Sequence, residues 1–210
     1  MAAADIIAAA RALDALGFMP SKSGNLSCRT PHGCLITPAG LPYAETSPDD
    51  LVEIALDGGI LAGHRRPSSE WRLHTAIYAA RPEAGAVVHT HSPFATALSC
   101  ARQPIPPFHY MIALGGGSDI PCSAYATFGT AALAEATVAA LEGRKAALLA
   151  NHGAVALGRT LAGARTLAME VENLARQYLA LRAAGLSPVL LDGAELHEVF
   201  AQFGDYGRLT

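Results

Sequence analysis

Lysine is nearly absent. Lys22 and Lys145 are the only two in 210 residues, and charged side chains make up only 16% of the chain. With a formal net charge of -3 and no clustered Lys/Arg, no face can track phosphates along a nucleic acid, so no nucleic-acid partner is expected. Long apolar runs are missing as well. Asn151 and His152 divide the best candidate, and no window reaches the roughly 18 to 20 uninterrupted apolar residues of a membrane span, so no membrane partner is expected. The four cysteines, Cys28, Cys34, Cys100 and Cys122, lack Cys-x-x-Cys spacing and the density of a disulfide scaffold. They read as ordinary thiols in a reducing, cytoplasmic setting. The first residues lack a basic segment, and Asp5, Arg11 and Asp14 interrupt the apolar residues at helical intervals, which predicts an amphipathic helix rather than a signal peptide.

The hydrophobic content, 51%, excludes disorder and suffices for one core, so residues 1–210 are expected to form a single domain. Turn and cap signals predict a helix from about Ala3 to Leu16, stopped by Gly17, then two hairpins. The first pairs Leu26–Arg29 with Cys34–Thr37, the second Leu51–Leu56 with Ile60-Leu61. A helix begins at Pro67-Ser68-Ser69-Glu70, with Ser68 or Ser69 as cap, and ends at Pro82. A strand over 86–91 leads through Ser92-Pro93, a cap followed by a first-turn proline, into another helix. Helices over roughly 130–141, 161–184 and 193–203 and a strand over 146–150 complete an α/β domain of three layers, with a central, mainly antiparallel sheet flanked by helices.

His89 and His91 end the apolar run Ala86-Val87-Val88. Side chains at i and i+2 share one face of a strand, whereas on a helix they diverge by roughly 200°, so the pair converges only if this segment is extended. Asn151-His152-Gly153 closes the run Ala146-Ala147-Leu148-Leu149-Ala150 and offers a third imidazole from a neighbouring strand. Three histidines with an open fourth position are a catalytic zinc arrangement. The competing His-x-His-x-Asp-His pattern of metallo-β-lactamases fails, because Pro93 and Phe94 stand where Asp and His are required. His32, His64, His109 and His197 have no comparable setting.

Glu70, at a helix start after two serines, has two compatible readings. It is a first-turn acid that suits the helix dipole, and a carboxylate base beside a metal. His74, one turn on, reads as a packing or supporting residue. Gly24-Asn25, Ala39-Gly40 and Ser68-Ser69 are small polar elements at turns or a helix start, and together they can offer amides and hydroxyls to a phosphate.

The motifs Ser23-Gly24-Asn25-Leu26-Ser27, Leu35-Ile36-Thr37-Pro38-Ala39-Gly40-Leu41-Pro42-Tyr43, Pro67-Ser68-Ser69-Glu70-Trp71-Arg72, Ala86-Val87-Val88-His89-Thr90-His91, His109-Tyr110-Met111-Ile112-Ala113, Ile120-Pro121-Cys122, Tyr125-Ala126-Thr127-Phe128-Gly129-Thr130 and Asn151-His152-Gly153 occur in this order. Together they resemble the class II aldolase/adducin family, and within it the branch that acts on L-fuculose 1-phosphate. The resemblance covers nearly the whole chain. It implies that His89, His91, His152 and Glu70 bind one Zn²⁺ per chain, with Glu70 also serving as the catalytic acid/base. It implies phosphate binding at Gly24, Asn25, Ala39, Gly40, Ser68 and Ser69. Tyr110 would reach in from a neighbouring subunit of a homotetramer whose sites lie at subunit interfaces, and would protonate the developing alkoxide. Phe128, Phe203 and Tyr206 would shape the aldehyde pocket.

The implied reaction cleaves a phosphorylated ketose, L-fuculose 1-phosphate or a relative such as a 5-deoxypentulose 1-phosphate, to dihydroxyacetone phosphate and an aldehyde through a metal-stabilised enediolate. Such chemistry needs no Schiff-base lysine, which accords with the lysine scarcity. Ala39 departs from the family's Thr-Pro-Thr-Gly, so one hydroxyl donor to phosphate is missing while the backbone amides are expected to remain. Ser23 replaces a smaller alanine. Other reactions of the superfamily, ribulose-5-phosphate 4-epimerisation or methylthioribulose-1-phosphate dehydration, and a non-catalytic adducin-like role are the alternatives.

Overall fold

The computed structural model describes residues 3–205, without the side chains of residues 204 and 205. Seven strands form one sheet: β1 (Asn25–Thr30), β2 (Gly33–Ile36), β3 (Val52–Ala55), β4 (Ile60–Ala62), β5 (Ala86–Thr90), β6 (Ala146–Leu149) and β7 (Gly153–Gly158). Their spatial order is β4-β3-β2-β1-β5-β7-β6, and every adjacent pair runs antiparallel. The described residues also form six α-helices, α1 (Ala3–Ala15), α2 (Trp71–Ala80), α3 (Pro93–Cys100), α4 (Ala131–Ala140), α5 (Leu161–Ala183) and α6 (Gly193–Asp205), and short 3-10 helices at Pro20–Lys22, Pro48–Asp50 and Tyr110–Gly115. Among the described residues no helix is long and apolar enough to cross a membrane.

The alternation of side chains along each strand divides the core in two. Leu26 and Cys28 of β1, Ala86 and Val88 of β5, and Ala154 and Ala156 of β7 face a cluster built with α1, α3 and α5. Val87, Val155 and Leu157 face the opposite cluster, with Leu73 and Ile77 of α2 and Leu133 beside them. The result is helices, sheet, helices. In α5 the buried Leu161, Ala164, Leu167, Ala168, Val171, Leu174, Ala175 and Tyr178 recur every three or four residues, which lays one stripe of the helix on the sheet.

Three expectations need correction. β7 was not foreseen, and it lies between β5 and β6, so the strand that precedes His152 is not the neighbour of the His-x-His strand. Ser68 and Ser69 do not cap α2. Glu70 itself occupies the N-cap position, with no side-chain cap bond, while its own amide donates to the Ser68 hydroxyl at 3.3 Å. Ser92 stands at the N-cap of α3, yet its buried hydroxyl makes no hydrogen bond.

The cap of α3 comes instead from Glu172 of α5. Its buried carboxylate accepts from the amide of Phe94 at 2.9 and 3.1 Å and from that of Ala95 at 2.8 Å. A carboxylate at a helix N-terminus gains from both the free amides and the helix dipole. Glu172→Ala is expected to cost about 2 kcal/mol or more, because the buried Ala95 amide and the half-buried Phe94 amide lose a charged acceptor. The denaturation midpoint measures this, and an unchanged midpoint would show that water replaces the carboxylate at no cost.

Candidate active site

The antiparallel register sets Asn25 of β1 directly opposite His89 of β5. Both lie on the sheet face that carries Val87, which is the face covered by α2. Glu70, at the start of α2, therefore points down onto them. Its Oε2 lies 3.0 Å from His89 Nε2 and accepts a hydrogen bond from Asn25 Nδ2 at 3.1 Å. The other oxygen, Oε1, lies 3.2 Å from His152 Nε2. His91, one residue past the end of β5, completes the group, its Nε2 being 3.0 Å from that of His89. His152 occupies the tight turn between β6 and β7, where Asn151 adopts φ 55°, a left-handed conformation that asparagine tolerates.

The three imidazoles form a near-equilateral triangle. Ring centroids are 4.8 Å apart in every pair, with interplanar angles of 70°, 74° and 79°. One ligand atom from each of Glu70, His89, His91 and His152 falls within 4.8 Å of the others. His89 Nδ1 lies 3.0 Å from the Ala154 carbonyl, which can only accept. Nδ1 thus carries a proton, and Nε2 faces Glu70 and His91, as a donor to the carboxylate when the ring is charged and as a lone pair when it is neutral. Glu70 Oε1 is buried and makes no hydrogen bond, although His152 stands at contact distance. An orphaned carboxylate oxygen among converging imidazole nitrogens is the donor set that a divalent cation satisfies.

Among the side chains alone, Glu70 and His89 behave as an ion pair, in which the proton on His89 Nε2 occupies the place a cation would take. Burial alone would raise the Glu70 pKa, but the charge and hydrogen bond of His89, then His152 and Asn25, outweigh it and hold the carboxyl well below its usual range. For His89 burial opposes protonation and Glu70 overcomes it, so its pKa is raised. Burial and the nearby imidazoles bring His91 down to about 3 and His152 to about 4. Those two rings are accordingly neutral, the form that ligates metal.

A cleft of about 310 Å³ opens beside Glu70, His91 and His152. Gly24, Asn25, Ala39, Gly40, Ser68, Ser69 and Phe128 line it, so the six residues expected to bind phosphate converge there with one of the three expected at the aldehyde. Gly24 has φ 79°, and a Cβ there would meet the His89 carbonyl at 2.8 Å, so only glycine lets this loop approach β5. Gly40, at φ 71°, has no atom within 4 Å of where a Cβ would be, so its missing side chain leaves open space.

A model of the Class II Aldolase and Adducin N-terminal domain family matches residues 4–179. The chain belongs to that family. It is a class II aldolase, a metal-dependent lyase. A 5-methylthioribulose-1-phosphate/5-deoxyribulose-1-phosphate aldolase from Rhodospirillum rubrum is 52% identical over 96% of this chain and 90% of its own length. An L-fuculose phosphate aldolase from Escherichia coli K12 is 45% identical over 91% of this chain and 89% of its own length. A solved L-fuculose 1-phosphate aldolase superimposes with a TM-score of 0.92 at 36% identity, covering 96% of this chain and 95% of that one.

In this class II aldolase some expected site residues lie elsewhere. Tyr110 and Phe203 line a separate groove, of about 980 Å³, with their rings stacked 6.4 Å apart. Tyr206 lies outside the described residues. The backbone amides expected to serve phosphate are partly committed: that of Ala39 donates to the Arg66 carbonyl and that of Ser68 to the Thr37 carbonyl, both at 3.0 Å. The Asn25 side chain faces Glu70 with its nitrogen and His74 with its oxygen. The cleft also includes Lys22, Tyr125 and Asn151, which sequence reasoning passed over. Lys22 was findable, because it stands two residues before the Gly24 turn and is one of only two lysines.

Proposed function

We propose that the chain is a zinc-dependent aldolase that cleaves a ketose 1-phosphate to dihydroxyacetone phosphate and an aldehyde. One observation carries this reading: the orphaned Glu70 oxygen among three imidazoles, at the edge of a cleft walled by Gly24, Gly40, Ser68 and Ser69. Glu70, His89, His91 and His152 would hold the metal. When bound, zinc would supply a Lewis acid that offsets the negative charge developing on the substrate's C2 and C3 oxygens. The Ser68 and Ser69 hydroxyls and the Gly24 and Gly40 turns would seat the phosphate, with Lys22 as the nearby cation.

In the cleavage direction the C4 hydroxyl gives its proton to the Tyr110 oxygen in its phenolate form, the C3–C4 bond breaks toward C3, and Glu70 in its acid form delivers a proton to C3, after which solvent carries the phenol's proton back to the carboxylate. The aldehyde and dihydroxyacetone phosphate then account for every atom. In the reverse direction Glu70 removes the C3 proton and Tyr110 protonates the alkoxide that forms on the aldehyde. Tyr110 is 53% exposed and lines the other groove, which supports its delivery to this cleft by a neighbouring copy in a homotetramer.

Among substrates, 5-deoxyribulose 1-phosphate and 5-methylthioribulose 1-phosphate stand ahead of the expected L-fuculose 1-phosphate, because the Rhodospirillum rubrum relative is the more similar, at 52% against 45%. Phe128, 65% exposed at the cleft, offers apolar surface suited to a methyl or methylthio terminus. A coupled assay of dihydroxyacetone phosphate release over the three ketoses is expected to give the deoxypentulose at least about a tenfold advantage in kcat/KM, the scale on which pocket fit discriminates such groups. A preference for L-fuculose 1-phosphate would reverse the order. Epimerised or dehydrated sugar without dihydroxyacetone phosphate would replace the aldolase reading with another reaction of the superfamily.

A further inference from the structure

Behind Glu70 runs a continuous line of buried polar side chains. Tyr78 Oη lies 2.8 Å from Ser27 Oγ, which lies 2.7 Å from His74 Nδ1. His74 Nε2 is 2.5 Å from Asn25 Oδ1, and Asn25 Nδ2 is 3.1 Å from Glu70 Oε2. Two local geometries place them: Asn25 and Ser27 are i and i+2 on β1, while Glu70, His74 and Tyr78 are successive i, i+4 positions of α2 and its N-cap. His74 has no exposed surface, and Tyr78 is 1% exposed.

The direction of every bond follows from the carboxylate. An ionised Glu70 only accepts, so Asn25 presents its Nδ2 and turns Oδ1 toward His74. That oxygen needs a donor, so Nε2 carries the imidazole proton and Nδ1 is left as a lone pair. Ser27 donates to Nδ1 and in turn accepts from the Tyr78 phenol. The opposite polarity would set the Asn25 oxygen against the carboxylate and leave the phenol hydrogen without an acceptor, a costly arrangement in a dry core. Burial, followed by the nearby His89, draws the His74 pKa down to about 3, which keeps the ring neutral as the chain of donors requires.

We propose that His74 is a positioning residue for the aldol reaction: through the Tyr78–Ser27–His74–Asn25 line it fixes the Asn25 amide so that Glu70 Oε2 stays tethered while Oε1 is the oxygen that changes partner. The proposal rests on the acid/base role assigned to Glu70 above. Oε1 is the matching half of the arrangement, since it makes no hydrogen bond. Without the tether the carboxylate would still meet the metal but would sample both orientations at the moment of proton transfer, which lowers turnover more than substrate binding.

The test compares His74→Phe, which keeps a ring but removes the donor, with His74→Gln, which restores one toward Asn25, and with the remote Tyr78→Phe. His74→Phe is expected to lower kcat about tenfold or more, with KM within about twofold and metal content unchanged, the range seen when an outer partner of a metal site is lost. His74→Gln recovers most of the loss, and Tyr78→Phe falls between. Independently of turnover, ¹⁵N spectra of the zinc-loaded protein, with the His74 signals assigned by their loss in His74→Gln, should show a neutral Nε2–H ring. An Nδ1–H or protonated His74, wild-type kcat in His74→Phe, or a loss that falls on KM and is not rescued by Gln overturns the proposal. If His74→Phe fails to fold, Tyr78→Phe and the tautomer decide it. A wild-type protein that releases no dihydroxyacetone phosphate from any ketose 1-phosphate defeats the proposed reaction instead, and the tautomer alone then decides the relay.

Discussion

Glu70→Gln is expected to keep its metal and to lose aldol cleavage by a factor of about 10² or more, the usual worth of a positioned acid/base. The substitution is nearly isosteric, so packing under α2 changes little. Three imidazoles remain, which meets the ligand count of a catalytic zinc site. What disappears is a group that can both take and give a proton at C3. The half-reaction isolates this step: wild-type protein given dihydroxyacetone phosphate in D₂O, without aldehyde, should exchange one C3 hydrogen for deuterium, and Glu70→Gln should not. A variant with a full metal complement and wild-type exchange would remove Glu70 from the mechanism. One that also loses its metal would make the carboxylate chiefly a ligand.

How far the site was legible depended on whether its parts were local in sequence. The His-x-His strand was readable because period two is a property of five consecutive residues, and β5 runs Ala86–Thr90 as that pattern requires. The glycine turns were readable for the same reason. β7 was not, because Gly153-Ala-Val-Ala-Leu-Gly158 offers small residues and two glycines where a strand signal depends on bulky or branched side chains. Its consequence was a misplaced His152, which reaches the site from a turn. Glu172 was invisible as a cap, because it lies 78 residues from the amide of Phe94, and no local pattern joins a carboxylate on one helix to the N-terminus of another.

The relay behind Glu70 is an intermediate case. Its two halves, Asn25-x-Ser27 and Glu70-x-x-x-His74-x-x-x-Tyr78, are each regular, yet nothing in either indicates the other until the β1–β5 register brings Asn25 beside His89. The wall of the cleft was legible as a set of residues, but not which of its amides are already committed to backbone bonds. Whether the Ala39 and Ser68 amides point into the cleft depends on backbone bonds to Arg66 and Thr37, which no side-chain pattern encodes.

Metal removal should produce the largest change of all. A strong chelator is expected to lower activity to under about a hundredth, because the side chains alone supply no Lewis acid for the charge developing at C2 and C3. Zinc should restore it. His89→Ala should imitate the stripped protein permanently, and for a reason particular to that residue. His89 has no exposed surface and is held at Nδ1 by the Ala154 carbonyl, so its Nε2 is aimed before any metal arrives. His91 and His152 have no such bond among the described residues, which makes His89 the preorganised member around which the others close. The variant should hold less than about a tenth of an equivalent of metal and fail to recover with zinc. Wild-type protein that never retains a divalent metal, and gains no activity from zinc, would sink the zinc-enzyme reading and leave a non-catalytic, adducin-like role. Activity retained in His89→Ala would instead show that Glu70, His91 and His152 suffice, and that the Ala154-anchored imidazole serves the fold of β5 rather than the metal.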